Sequence, residues 1–271
     1  MPAKRKRTIK AIPVTDIPEA MTEDLSAILQ KYSVNLVGLR DESQFAHCGS
    51  GTLVMHANEP LVLTAAHCAR ALSQWDAIGL VLVDYRHRFV MPNLGPIFVD
   101  EPKTEELGPD LAFLKIPASD IGTLCAHKIF FNLGRGEHLG KDDPATEMGL
   151  WALVGAPAET SDLEDPSDLG FTQTAHWIGV DEYCRRGEHD YLELGVPEEE
   201  AELPANFRGT SGGGVWQVEI EMDKNGRWGA KLPVLMGCAF YETVPTRGRF
   251  TIRCHGPRSI YERGLRILRA K

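Results

Sequence analysis

The sequence predicts an all-β protein of the sandwich or barrel kind. The main observation is a series of about a dozen short apolar runs, among them "GTLVM", "PLVLTAA", "LAFLKI", "GLWALVGA", "GVWQVEIEM" and "RFTIRC". Gly, Pro and Asp break these runs at short intervals, which is the pattern of strands and tight turns. The second observation is an ordinary globular composition, 43% hydrophobic and 25% charged, over 271 residues, long enough for one large or two smaller domains with a sizeable core.

The ends are read as helices. In "MTEDLSAILQKY" Thr22 is the expected N-cap, acids fill the first turn, and Leu25, Ile28 and Leu29 share one face. In "GPRSIYERGLRILRAK" Ser259 is the expected N-cap of a basic helix that docks through Ile260, Leu265 and Leu268. Between the strand runs, "NLGRGEHLGKDDPATEM" (132–148) reads as a Gly-rich inter-domain linker and "PAETSDLEDPSDLG" (157–170) as a solvated acidic loop.

Charge and composition exclude several classes. A net charge of −9 argues against a nucleic-acid binder; only the cluster Lys4–Arg7 runs against it, and it reads as a solvated tail. No apolar run is long enough to span a bilayer, and the first residues lack the apolar core of a signal peptide. A cytoplasmic protein with no membrane contact is therefore expected. The six cysteines form no C-x-x-C pair, which disfavours zinc and thioredoxin-type sites, and most are expected as buried thiols.

The stretch "NFRGTSGGGVW" (206–216) carries the chemistry. A phosphate-binding loop would need a lysine closing the motif before a helix, and none is near. "GTSGG" fits the nucleophile elbow of α/β-hydrolases, but that fold needs an acid and then a histidine after the serine, together with strand–helix alternation. Only His255 follows Ser211, and the alternation is absent. The partners lie upstream: "LVLTAAHCA" puts His67 at the end of an apolar run, and "LGPDLAFLKI" puts Asp110 at the start of another. The order His67, Asp110, Ser211 is that of the chymotrypsin-type proteases.

"TAAHC", "DLAFLKI" and "RGTSGGGVW" together resemble the active-site blocks of trypsin-like serine proteases. "GSGTLV" and "WALVGAP" look more like the bacterial Deg/HtrA-type branch, without the peptide-binding domain which that branch appends. The resemblance covers about residues 33–255. It implies two six-stranded antiparallel β-barrels: residues 33–131 with His67 and Asp110, and residues 149–255 with Ser211. Residues 1–32 precede them as tail and helix, 132–148 link them, and 256–271 form the last helix.

It further implies that His67 is the general base, Asp110 its orienting acid and Ser211 the nucleophile, with the N–H groups of Gly209 and Ser211 as oxyanion hole. No metal or organic cofactor is implied. Ala205 would lie on the floor of the primary pocket, favouring a small or medium apolar side chain. Phe240, Tyr241 and Glu242 would pair with extended substrate backbone. Arg208 is either a contact for an acidic substrate group or a rim arginine, and Glu242 offers a second route to a basic preference.

Cys48 and Cys68 stand where many family members have a disulfide; bonded and reduced both stay open, the missing signal peptide favouring reduced. Thr210 replaces the aspartate which digestive members pair with a new N-terminus, so activation by such cleavage is not expected. The resulting expectation is a serine endopeptidase acting on protein or peptide. A protease held latent until a protein partner binds, and a non-catalytic peptide-binding pseudoprotease, are the alternatives.

Overall fold

The computed structural model describes residues 17–40, 44–82, 88–101, 106, 108–142, 144, 149–157, 173–197, 203–204, 206–244 and 248–270. The basic cluster Lys4–Arg7, Ala205, nearly all of the acidic loop and part of the 132–148 segment lie outside them. Strands account for 47% and helices for 20%, so β pairing sets the frame, as the spacing of apolar runs predicts.

The first part of the chain forms α1 (Glu19–Gln30), β1 (Ser33–Leu39), β2 (Phe45–His56), β3 (Glu59–Thr64), α2 (Ala66–Leu72), β4 (Ala77–Val81), β5 (Arg88–Pro92), β6 (Pro96–Asp100), β7 (Leu111–Lys115), α3 (Ile121–Cys125) and β8 (Phe131–Asn132). The second part forms β9 (Leu150–Gly155), β10 (Thr174–Trp177), β11 (Val180–Arg186), β12 (His189–Pro197), β13 (Gly214–Val218), β14 (Ile220–Met222), β15 (Trp228–Ala230), β16 (Val234–Glu242), β17 (Arg249–His255) and α4 (Leu265–Arg269). A wider π-type turn, Ser259–Gly264, leads into α4.

Two large sheets result. One runs β5-β4-β1-β2-β3-β7-β6, with β8 added beside β2 in parallel; the other runs β10-β9-β13-β16-β17-β12-β11, all antiparallel. The expected six strands per sheet are thus eight and seven, and no ladder closes either sheet into a ring among the described residues. β8 is one added strand of the first sheet, and in both sheets the two edge strands are consecutive in the chain. β5 and β6 lie at opposite edges yet are joined only by residues 93–95, which span at most about 15 Å. β10 and β11 likewise occupy opposite edges across residues 178–179, a reach of about 11 Å. Each sheet must curl until its edges come near.

Curling gives each sheet an interior. Val34, Leu36, Leu53, Val62, Ile78 and Leu114 fill the first with one face of α2, and Leu153, Leu192, Leu194, Phe207, Val215 and Ile252 fill the second. A third cluster lies between the sheets around the fully buried Trp216, whose ring packs 4.7 Å from Tyr32 and 5.5 Å from Phe131. Leu29 from α1, Ile260 and Tyr261 from the C-terminal turn and Leu265 from α4 complete it.

Both helix-start expectations need correction. α1 begins at Glu19, directly after Pro18, and Thr22 lies inside it with its hydroxyl donating to the Glu19 carbonyl. Proline suits a helix start because its missing N–H is not needed there. Leu25 and Leu29 are buried, whereas Ile28 is 40% exposed. Ser259 caps nothing: it is buried, and its hydroxyl bonds the Asp190 carboxylate at 2.9 Å while its N–H donates to the same group at 2.7 Å. The described start of the 132–148 segment is packed structure: Asn132 closes a short helical turn over residues 133–136, and Gly136 is pressed against the Tyr261 ring.

Candidate active site

His67, Asp110 and Ser211 reach one region from both sheets. Strand β3 ends at Thr64, and Ala65 and Ala66, both buried, bring the chain into α2, so that His67 lies in its first turn. Asp110, fully buried, immediately precedes β7. The Asp110 carboxylate takes two bonds from one residue: the His67 N–H donates to Oδ1 at 2.8 Å, and Nδ1 pairs with Oδ2 at 2.5 Å. Burial opposes a charged imidazole, but hydrogen bonds to Asp110 and Cys68 and the nearby Asp110 charge outweigh it and raise His67 above the ordinary 6.5.

Ser211 follows from the second sheet, in the turn before β13. It lines a cleft of about 580 Å3 together with His67, Arg208, Phe240, Tyr241 and Glu242. Among the described residues the Ser211 hydroxyl makes no hydrogen bond to His67; the polar partner of His67 Nε2 is Cys68 Sγ at 3.4 Å. The two side chains therefore share a cleft without being bonded. Cys68 Sγ also lies 3.5 Å from the Ser211 carbonyl.

The turn around Ser211 is held in an unusual shape. Gly209 has φ +91° and Gly212 φ +89°, a region L side chains rarely adopt, and a Cβ on Gly212 would collide with the Ser50 carbonyl. Gly212 N–H donates to Ala239 O at 2.7 Å and Thr210 N–H to Phe207 O at 3.0 Å. The N–H groups of Gly209 and Ser211 have no acceptor among the described residues. Thr210 turns its hydroxyl back to Phe207 O at 2.6 Å, so this position is satisfied within its own turn.

Ser50, which sequence reasoning did not single out, holds that turn from the other sheet. Its N–H donates to Ser211 O at 2.8 Å, and its hydroxyl donates to Gly209 O at 2.9 Å while accepting from Ala156 N–H at 3.1 Å. Thr64 in turn donates to the Ser50 carbonyl at 2.8 Å. The signal was present in "GSGTLV", but the partners lie 159 and 106 residues away.

The remaining predicted residues divide. Phe240, Tyr241 and Glu242 line the cleft, on β16 past the end of its pairing with β13. Glu242 Oε2 accepts the Phe207 N–H at 2.6 Å, which makes it a brace for the start of the Ser211 turn. Arg208 is exposed at the rim, its N–H turned to the Asn206 side chain. Cys48 and Cys68 are both free thiols, and burial pushes Cys48 up to about 11. Of six cysteines three are buried, two half-buried and one exposed, fewer in the core than expected, because Cys48 and Cys184 lie on partly open strands and Cys125 ends an exposed helix.

Among the described residues no group of three or more His, Cys, Asp or Glu side chains is placed to hold a metal ion, and no helix is long and apolar enough to cross a membrane. No known family model and no curated protein matches this chain.

Proposed function

We propose that the chain is a serine endopeptidase of trypsin-like architecture. On this reading each curled sheet is one six-stranded barrel closed through a broken strand: β5 and β6 are halves of one strand in the first, β10 and β11 in the second. The strand connectivity supports this, because joining the halves gives the same cyclic order in both. The observation that carries the function is the pairing of His67 with the buried Asp110 at the mouth of the cleft that Ser211 enters, beside two N–H groups without an acceptor.

The roles follow from the chemistry. Ser211 Oγ attacks the scissile carbonyl as His67 Nε2 takes its proton; Asp110 fixes the ring tautomer and stabilises the imidazolium. The oxyanion is received by the Gly209 and Ser211 N–H groups, and collapse of the intermediate returns the proton from His67 to the leaving amine. Water then hydrolyses the acyl-enzyme by the same steps. Extended substrate backbone adds along β16 beyond its pairing with β13, and a small or medium apolar side chain precedes the scissile bond.

A second reading draws on one observation: Nε2 is engaged by Cys68, and Ser211 is unbonded to it. This favours a resting state that a substrate or protein partner completes. Fluorophosphonate labelling of the purified protein, with Ser211→Ala and His67→Ala as controls, separates the two. Labelling of the wild type alone, mapped to Ser211, supports a protease competent by itself. A folded wild type that stays unlabelled sinks that reading and leaves the latent form or a pseudoprotease.

A further inference from the structure

His255 ends β17 and is completely buried. Its Nε2 accepts the backbone N–H of Asp110 at 2.8 Å, across 145 residues of sequence and from the opposite sheet. The ring lies between Phe240, 4.9 Å away, and Tyr191, 5.3 Å away, both tilted by less than 40° to it. The His189 ring approaches edge-on at 5.6 Å. Nδ1 is buried without a partner, so the bond to Asp110 is the imidazole's one hydrogen bond among the described residues.

Asp110 needs such a tie. Both of its carboxylate oxygens are spent on His67, which belongs to the same sheet. From that pair toward Ser211 on the other sheet there runs the weak contact of His67 Nε2 with Cys68 Sγ, itself 3.5 Å from the Ser211 carbonyl. The Asp110 N–H also crosses to the other sheet, and His255 is where it lands. His255 is also joined by strand pairing to Cys238, the residue before Ala239, whose carbonyl and N–H hold Gly212 and Gly213. One short path therefore runs from Asp110 through His255 and β16 to the turn that carries Ser211.

An imidazole that accepts at Nε2 must be uncharged, with its proton on Nδ1. Burial first, and the neighbouring His189 ring second, hold His255 at about 3, so it stays in that form at ordinary pH.

We propose that His255 is a positioning residue for this site: by accepting the Asp110 N–H it sets the His67–Asp110 pair in register with Ser211 across the two sheets. This rests on the serine-protease reading and adds to it a residue outside the three motif blocks.

The first test uses the wild type. Nitrogen-15 labelling of its histidines reports each ring tautomer by NMR; His255 is expected with the proton on Nδ1 and a bare Nε2. A proton on Nε2 overturns the proposal. The second uses His255→Phe, which keeps a ring in the Phe240–Tyr191 cage but removes the acceptor, and His255→Gln, which restores one. Fluorophosphonate inactivation is expected to show kinact lowered about 10- to 100-fold for H255F with KI unchanged. That range corresponds to the loss of a bond that leaves a buried N–H unpaired. H255Q should recover most of the difference.

Wild-type kinact in a folded H255F overturns the proposal, as does equal loss in both variants with KI raised. If H255F does not fold, the tautomer and the rate of H255Q decide. A wild type that never labels at Ser211 overturns the reading of a protease competent by itself, an outcome distinct from a labelled wild type matched by H255F.

Discussion

Replacing Ser50 by alanine removes one hydroxyl that holds two buried partners. In the structure Ser50 Oγ donates to Gly209 O and accepts from Ala156 N–H, and Ser50 is fully buried. The variant leaves the Ala156 N–H unpaired in the interior, which costs about 1–3 kcal/mol. Gly209 is partly exposed, so water can replace the bond to its carbonyl at small cost. A net destabilisation of about 2 kcal/mol is expected, measured by urea unfolding. The backbone bond from Ser50 N–H to Ser211 O survives in the variant, so Ser211 keeps its anchor while Gly209 loses its own. If Gly209 supplies an oxyanion donor, its release should slow phosphonylation at Ser211 by at least about 10-fold, short of the 100- to 1000-fold expected when such a donor is lost outright. A variant that is destabilised yet labels at the wild-type rate would refute the link between the Ser50 tether and the reactive turn. A variant that is neither destabilised nor slowed would refute the tether itself.

Asp110→Asn should lower labelling by about four orders of magnitude while the fold persists, because the amide presents the wrong group to the His67 ring; a loss under tenfold would speak against the assigned role. Since hydrogen bonds to Asp110 and Cys68 outweigh burial and raise His67, and only the uncharged ring can act as base, the labelling rate should climb with pH to a midpoint above 6.5. The same shift gives a contribution to stability that is complete below pH 6.5 and is lost as pH rises through the folded-state value. Trp216→Ala opens the cluster between the sheets and should cost about 3–5 kcal/mol in denaturant unfolding. Lys128, buried and donating to Gln30 O and Gln173 Oε1, is lowered by burial to about 7, so the unfolded chain binds more protons from there up to 10.5. Wild-type stability relative to Lys128→Met should therefore rise between pH 7 and 9; a constant difference would mean that the amine is not shifted.

What could be read from sequence was what is local. Short apolar runs between turn residues located the main strands, and the three motif blocks brought out His67, Asp110 and Ser211, of which the first two are hydrogen-bonded and the third shares a cleft with His67. That β5 and β6, consecutive in the chain, lie at opposite edges of their sheet was not legible, because "RFVMP" and "GPIFV" look like separate strands whatever their partners. Thr22 and Ser259 satisfy the local rule for a helix cap, and each was overridden: Thr22 by Pro18, which starts α1 a turn earlier, and Ser259 by a buried Asp190 about seventy residues upstream. Ser50 and His255 escaped for one reason. Each acts through a hydrogen bond to backbone on the other sheet, and backbone partners leave no mark on residue type.

That pattern bears on how the site is assembled. Asp110 and His67 come from the first sheet and Ser211 from the second, so on the proposed reading activity depends on how firmly the sheets are registered where they meet. The registration is not left to apolar packing alone, which is non-directional and tolerates small slips. Directional bonds cross at both ends of the site: Ser50 grips Gly209 and Ser211, and His255 grips Asp110. With the backbone held from both sides, what remains on the proposed reading is release of the Cys68 contact and formation of a Ser211–His67 hydrogen bond. Catalytic hydrogen bonds that are long or absent in an empty site and tighten around substrate fit this account. On the proposed reading the contact left to change is that of Cys68 with His67, since the Gly209 and Ser211 carbonyls are already braced by Ser50 of the opposite sheet.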